Sequence, residues 1–411
     1  MLQSKLFYKT LKKPPKNIKA LSHILLTRAG FIDQASVGSF SFLPLGFRVL
    51  RKIENIVREE MEAIAGQEIL MPALVSKDNW QKTKRWQTFD ALFKLKGAGN
   101  KEYALNPTHE EIISPLAAKY VFSYKDLPFY LFQIQTKFRN ELRAKSGILR
   151  TREFLMKDLY SFHASEKDLD NYYEKIGEVY SKIFKRCGIF AFRTLALGGT
   201  FSDYSHEYQA VSESGEDTIY VCQKCSFAIN KEIKNKFKKC PNCKSFDFRQ
   251  EKSIEVANIF KLGTKYSLPF DLKFKNKDGK EKPVVMGCYG LGLSRLMGAV
   301  VEINNDKKGI IWPEEITPFD IHLIAIGKIK KEAEKIYDDL QKNRFEVLYD
   351  DRRDISAGEK LAEADLIGIS KRIIISERTL KEKSVEIKNR KEKNIRLLKI
   401  KSIKLEINNK C

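Results

Sequence analysis

Three groups of residues in this chain have the types and spacing to do chemistry. The first is Arg139, Glu141, Arg150, Arg152 and Phe154, gathered within sixteen residues. Guanidiniums fixed beside an aromatic ring make a seat for a nucleotide, because Arg forks onto phosphate and a ring face stacks on a base. The second is Cys222-x2-Cys225 and Cys240-x2-Cys243, two CxxC units separated by fourteen residues. Four thiolates at this spacing can surround Zn2+ tetrahedrally; with no open position, such a metal is structural and not catalytic. The third is Gly287, Gly290 and Gly292 ahead of Arg295. Taken alone, those glycines read equally as a phosphate cradle and as a turn with close helix–sheet packing.

Periodicity gives the elements that must hold these groups. From Gln133 the chain alternates, with Ile134, Thr136 and Phe138 on one side and Gln135, Lys137 and Arg139 on the other, which predicts a half-buried strand. A polar loop over 140–147 and a second strand over 151–160 would complete a hairpin bearing the first group on one face. Its bland reading is an exposed hairpin with solvated arginines. Phe47, Leu50, Ile53, Val57, Met61 and Ile64 recur at three- and four-residue steps, predicting an amphipathic helix that Gly66 ends. Residues 68–74 then read as a strand interrupted by Pro72, and 166–186 as another amphipathic helix. In 106–111, NPTHEE, Pro107 and Thr108 signal a helix start, with acids in its first turn. Beyond the two prolines of 312–319, strand and helix patterns alternate as an α/β unit: 321–327, 330–343, 345–351, 356–368 and 372–376.

The 411 residues suffice for two or three domains with cores of their own. No apolar run approaches the ~18 residues that span a bilayer, so no membrane partner is expected. The net charge of +22, from 75 Lys+Arg against 53 Asp+Glu, is spread along the chain and favours a large polyanionic partner, though Lys-rich composition from biased codon usage would give the same total. Seven cysteines, four of them in CxxC pairs, in a chain this long fit a reducing, cytoplasmic compartment better than a disulfide framework.

FRNE at 138–141, a basic loop and RTREF at 150–154 resemble motif 2 of the class II aminoacyl-tRNA synthetases. The wider run from Gln133 to His163 is similar to bacterial prolyl-tRNA synthetases, and the resemblance extends from Ser4 to about Ile403. The helix, strand and Pro72 over 46–74 resemble motif 1, the dimer-forming unit, and 286–300 resembles motif 3. The implied fold is α+β: an antiparallel class II sheet flanked by helices over 1–314, a small zinc-ribbon-like insertion at 219–250, and an anticodon-binding α/β domain at 315–411. The implied reaction is attack of the L-proline carboxylate on the α-phosphate of ATP, with Mg2+, followed by transfer to tRNA(Pro). Arg139 would bridge the carboxylate and α-phosphate and Arg295 would hold the γ-phosphate. Glu141, Arg150, Phe154, Gly290 and Gly292 would complete the ATP site. Thr108 and Glu110 would accept from the secondary ammonium of proline, with Arg139 and His206 bordering its pocket. Base contacts with the anticodon are expected near Asp350, Asp351 and Arg352.

Where many bacterial relatives carry an editing domain, only about forty residues separate the SHEY segment at 205–208 from the resumed core. The expectation is a short, homodimeric enzyme without editing in cis, for which a free-standing editing protein would be a useful partner. The resemblance also begins too early to leave room for a targeting segment. Two other readings stay open: a synthetase-like, non-catalytic nucleic-acid-binding protein, and a class IIa ligase for another amino acid.

Overall fold

The computed structural model describes residues 1–16 and 18–408. By its internal contacts the chain forms two units, one made of Gln34–Phe40 and Ile53–Ala299, the other of Met1–Asp33, Ser41–Lys52 and the residues from Val300 onward. The first 33 residues thus pack with the C-terminal part, not with the catalytic part in which the sequence reading placed them. The last three residues of the expected 315–411 domain lie outside the described ones.

Two helices open the chain's regular structure, α1 (Leu21–Arg28) and α2 (Pro44–Glu62). Five positions of the predicted α2 stripe are buried, but Phe47 is 49% exposed and stands off it. The strand predicted at 68–74 is broken in two: β1 (Gly66–Glu68), after which Ile69 N donates to Phe132 O and pairing stops ahead of Pro72, and a short strand Leu74–Ser76 that belongs to a different sheet. Then come α3 (Glu110–Ala117), the motif 2 strands β2 (Phe129–Phe138) and β3 (Glu153–His163), and α4 (Glu166–Arg186). Helix α4 begins on Ser165, whose side chain accepts from Asp168 N. Strands β4 (Phe192–Leu197), β5 (Tyr204–Val211), β6 (Asp217–Cys222), β7 (Ala228–Asn230), β8 (Phe248–Gly263) and β9 (Val285–Gly292) follow, then α5 (Leu293–Ile303).

These strands form one nine-stranded sheet, ordered β5-β4-β7-β6-β8-β9-β3-β2-β1. It is antiparallel except for the β1–β2 and β7–β4 pairs. Its two faces differ in kind. Alternate residues of β3 and β9 turn to α4: Lys157 Nζ donates to Tyr180 Oη, and Tyr172 packs edge-on to Tyr289. The residues between them face the other way, where the register sets Lys137 opposite Phe154, Gln133 opposite Asp158, and Asp158 opposite Gly290. That polar side was expected to be the wet side of a half-buried strand. Instead Gln133 and Lys137 are fully buried, because they build a site.

In the other unit the strands β10 (Ile321–Ile326), β11 (Val347–Asp350), β12 (Lys371–Ser376), β13 (Ser384–Asn389) and β14 (Arg396–Lys399) form a sheet ordered β11-β10-β12-β13-β14. The first three strands are parallel, linked by α6 (Lys330–Lys342) and α7 (Ala357–Ile367) as crossovers. From β10 to β12 the strands and helices match the sequence reading to within two residues, whereas β13 and β14 were not foreseen by it. The N-terminal residues join this sheet's edge, Tyr349 N donating to Met1 O.

Candidate active site

On the sheet face away from α4 lies a cavity of about 290 Å3. Met156 and Asp158 of β3, Gly290 and Gly292 of β9 and Asn258 of β8 line its floor; Phe89, Phe201, Thr108, Arg139, Phe154 and Arg295 stand around it. A Cβ on Gly290 would meet nothing nearer than 3.7 Å, so its bareness leaves room above the floor and not below it. Gly287 is different: a Cβ there would come within 2.4 Å of Tyr289 Oη, which makes it a packing glycine on the helix side.

Both arginines expected to grip phosphate open onto this one cavity. The Arg139 guanidinium lies 5.3 Å from the Phe154 ring centre, and its buried Nε has no hydrogen-bond partner. An unsatisfied buried donor of this kind is costly unless an anion completes it. Burial, with Arg295 nearby, also pulls its pKa below the usual value. Arg295 is held by Leu149 O at 2.8 Å and Glu255 Oε2 at 3.1 Å. Glu255, which the sequence reading did not single out, also lines the cavity, and its carboxylate is the oxygen donor that a hard cation such as Mg2+ takes.

Beside the arginines, Thr108 Oγ1 donates to Glu110 at 2.7 Å, and Arg85 Nη1 donates to Glu110 at 3.2 Å and Glu111 at 2.9 Å. The Arg85 guanidinium sits within 5.4 Å of the ring centres of Trp80, Phe89, Phe201 and Tyr266. Glu110 is thereby a fully buried acceptor fixed next to an aromatic wall. The pair suits a small cation with an apolar ring.

Behind the cavity is a network that sequence reasoning missed. Lys137 Nζ lies 2.6 Å from Asp158 Oδ1 and 2.6 Å from His109 Nδ1, and Gln133 Nε2 donates to Asp158 Oδ2. His109 Nε2 lies 3.1 Å from Pro72 O, so that nitrogen carries the proton and Nδ1 accepts from the ammonium. Burial, and then Lys137, lowers the His109 pKa to about 4. Burial alone would raise the Asp158 carboxyl, but Lys137 and His109 hold it below the usual range. The one available signal was a Lys and an Asp on the polar side of facing strands.

Other expected residues are placed apart from this centre. Glu141 reaches the cavity rim, whereas Arg150 is half exposed and pairs with Glu141 at 2.8 Å and Glu216 at 3.4 Å. Arg152 Nε donates to Glu141 O. His206 is directly opposite Ile259 and its Nδ1 meets Tyr173 Oη of α4, at 2.8 Å. It is on the helix face and does not border the cavity, since side chains alternate along the strand and the position opposite Ile259 faces α4.

In the C-terminal unit a cavity of about 740 Å3 lies past the carboxyl ends of β10 and β11, lined by Lys328, Lys330, Asp351, Arg352, Arg353 and Lys360 among others. Ligands of open parallel sheets bind at such ends. Asp350 is fully buried and gives its carboxylate to Arg352, at 2.9 and 2.7 Å, so it anchors Arg352 and does not itself meet a base.

The four cysteines meet, with all Sγ atoms within 4.8 Å of one another. Cys222–Cys243 and Cys225–Cys240 are 3.5 and 3.6 Å apart, close to the roughly 3.8 Å edge of a tetrahedron with ~2.3 Å metal–sulfur bonds. Each CxxC turns alike: Ser226 N donates to Cys222 O and Lys244 N to Cys240 O, with Ser226 and Lys244 both at positive φ. The residues fit Zn2+.

Comparison with known proteins bears on the fold and the family. The model of the tRNA synthetase class II core domain (G, H, P, S and T) matches residues 93–304, and that of the anticodon binding domain matches 320–410. The proline–tRNA ligases of Syntrophomonas wolfei and Thermodesulfovibrio yellowstonii are each 33% identical, over 98% and 100% of this chain and 98% and 99% of their own. The first alignment runs over 563 positions although this chain has 411 residues, so that relative carries long stretches absent here. Among solved structures, Giardia lamblia prolyl-tRNA synthetase in complex with prolyl-adenylate shares the fold at a TM-score of 0.78 and 23% identity, over 93% of this chain and 77% of that one. The Cryptosporidium parvum enzyme complexed with L-proline and AMP does so at 0.78 and 18%, over 97% and 76%. Fold and site together define a class II aminoacyl-tRNA synthetase core with an anticodon-binding domain. Within that class, the chain belongs to the prolyl-tRNA synthetase family.

Proposed function

We propose that this protein is a proline–tRNA ligase, and the observation that carries the reading is the single cavity joining Arg139, Phe154 and Arg295 to Thr108 and, through it, Glu110. Proline enters with its ring against Phe89 and Phe201, and its ammonium donates to Glu110 and Thr108. Arg139 holds the carboxylate and the α-phosphate of ATP, so the attacking and leaving oxygens are in line before reaction. The carboxylate oxygen attacks, the bond to the bridging oxygen breaks, and pyrophosphate leaves. Phe154 stacks on the adenine, and Glu141 accepts from its amino group once Arg150 yields. Arg295 takes the γ-phosphate. Mg2+, when bound, neutralises phosphate charge, and Glu255 is the residue to hold it. No general base is needed for this step. A terminal ribose hydroxyl of tRNA(Pro) then attacks the adenylate carbonyl, releasing AMP.

The rest of the reading follows the family. The α/β domain from 315 seats unstacked anticodon bases in the basic cavity, with Asp351 and Arg352 at its edge. The cysteines hold a structural Zn2+, the helix–strand unit at 46–74 makes a homodimer, and correction of mischarged alanyl-tRNA falls to a separate protein. Proline-dependent ATP–pyrophosphate exchange, run with each of the twenty amino acids, tests the proposal. Exchange with proline well above all others is expected. No exchange, or a preference for threonine, serine or histidine, would overturn it.

A further inference from the structure

The four-cysteine lobe has more charge than its staple requires. Residues 221–252 carry nine Lys and Arg against three acids, whereas the chain as a whole carries 75 against 53. Lysines scattered through a Lys-rich chain would bring acids with them; here the acids thin out as the bases crowd. Lys231, Lys236, Lys238, Lys239 and Lys244 are exposed, and among the described residues none of the five has an ion pair within 4.0 Å. Aromatic rings are interleaved with the charge. Lys234 Nζ lies 4.4 Å from the Phe248 ring centre, Lys236 Nζ 5.4 Å from Tyr204, and Lys239 Nζ 4.9 Å from Phe246, itself 68% exposed. A basic surface set with ring faces is what single-stranded ends and phosphate backbones bind.

Its position says which part of an RNA. Strand β8 runs from this lobe into the cavity: Arg249 pairs with Val221 beside the cysteines, and Glu255, six residues on, bonds Arg295. At ~3.3 Å per residue the patch begins roughly 20 Å from the reacting atoms. The 3′ end of the RNA must reach Arg139, so the paired part of the acceptor arm stands a few nucleotides back.

We propose that the four-cysteine lobe is a tRNA-binding surface that grips the phosphates of the acceptor arm. This rests on the reading of the cavity as the charging site, but adenylation needs no RNA, so the two can fail separately. The test is the variant Lys236→Ala/Lys238→Ala/Lys239→Ala/Lys244→Ala with a tRNA(Pro) transcript in filter binding. Its Kd should weaken at least about tenfold and the slope of log K against log salt should flatten by about 3 to 4 if all four lysines meet phosphates, at ~0.7–0.9 per lost phosphate contact. Proline-dependent exchange should stay within twofold. Unchanged Kd and slope with exchange intact would overturn the proposal. Phosphate-ethylation interference on the unsubstituted enzyme reads the same surface without relying on the variant's folding. Interference along the acceptor arm supports it, and interference confined to the anticodon arm sinks it. Absent exchange with tRNA binding that the variant loses would overturn the ligase reading and leave this one standing.

Discussion

The catalytic cavity and the four-cysteine lobe lie on one sheet and share strand β8, yet they hold their residues in place by opposite means. Around the cavity, large side chains such as Tyr160, Tyr289 and Phe132 are fully buried, and that core is thick enough to enclose Lys137, Asp158, Glu110 and Arg85. Charges removed from water keep their geometry only if each finds a partner, and here the partners are other buried charges. In the lobe Ile219, Val221 and Ala228 form a small core cluster, with Ile229 and Ile233 buried nearby. Too small to bury charge, the lobe is fixed by four thiols converging on one point, and its charges point outward. A thick core can aim a few groups at a small molecule; a thin, stapled lobe can spread many over a large one.

Three substitutions or conditions break this contrast, in descending order of expected effect. Arg139→Ala removes the donor that no other group in the cavity replaces. Exchange kcat/KM should fall by about 10²- to 10³-fold, on the scale of losing a preorganised donor to a developing oxyanion, with the thermal midpoint little changed. A loss under tenfold would mean the cavity is not organised around that guanidinium. Cys240→Ser, or a strong chelator, should remove one bound zinc per chain by elemental analysis and loosen the lobe. Aminoacylation should then drop about tenfold or more while exchange holds within a few-fold. Equal loss of both would show that the staple supports the cavity as well. The smallest effect is on pH. The folded-state pKa of His109, about 4, lies below its ordinary 6.5, so the unfolded chain takes up that proton first. The stability from this group is complete above pH 6.5 and is lost as pH falls toward 4. The thermal midpoint of the unsubstituted protein should therefore fall more steeply across that window than that of His109→Gln, and parallel curves would remove His109 from the account.

What the sequence made legible is what lies close together in it. The motif 2 strands and the two CxxC units are each local, and each appears where periodicity or spacing put it; the glycine run, read as a cradle or a turn, is instead part of strand β9. Helix α4 matches its predicted ends, because apolar spacing and a Ser cap coincide there. What stayed hidden joins distant segments. The Lys137–Asp158–His109 cluster draws on three elements, and Arg85 reaches Glu110 from a stretch with no periodic signal. His206 was placed by its neighbours in the sequence, but strand register turned it to the helix side. Asp350 was read as a surface contact because acids usually are, though a buried Asp with a bidentate Arg is the exception that a pattern cannot show.

The open floor at Gly290 has a practical side. Space for a methyl exists on the cavity side of an otherwise regular strand, so Gly290→Ala would leave the scaffold intact while narrowing the chamber itself. If the methyl crowds the bound nucleotide, such a chain would capture its RNA and charge it more slowly, which would make it a starting point for trapping the bound complex.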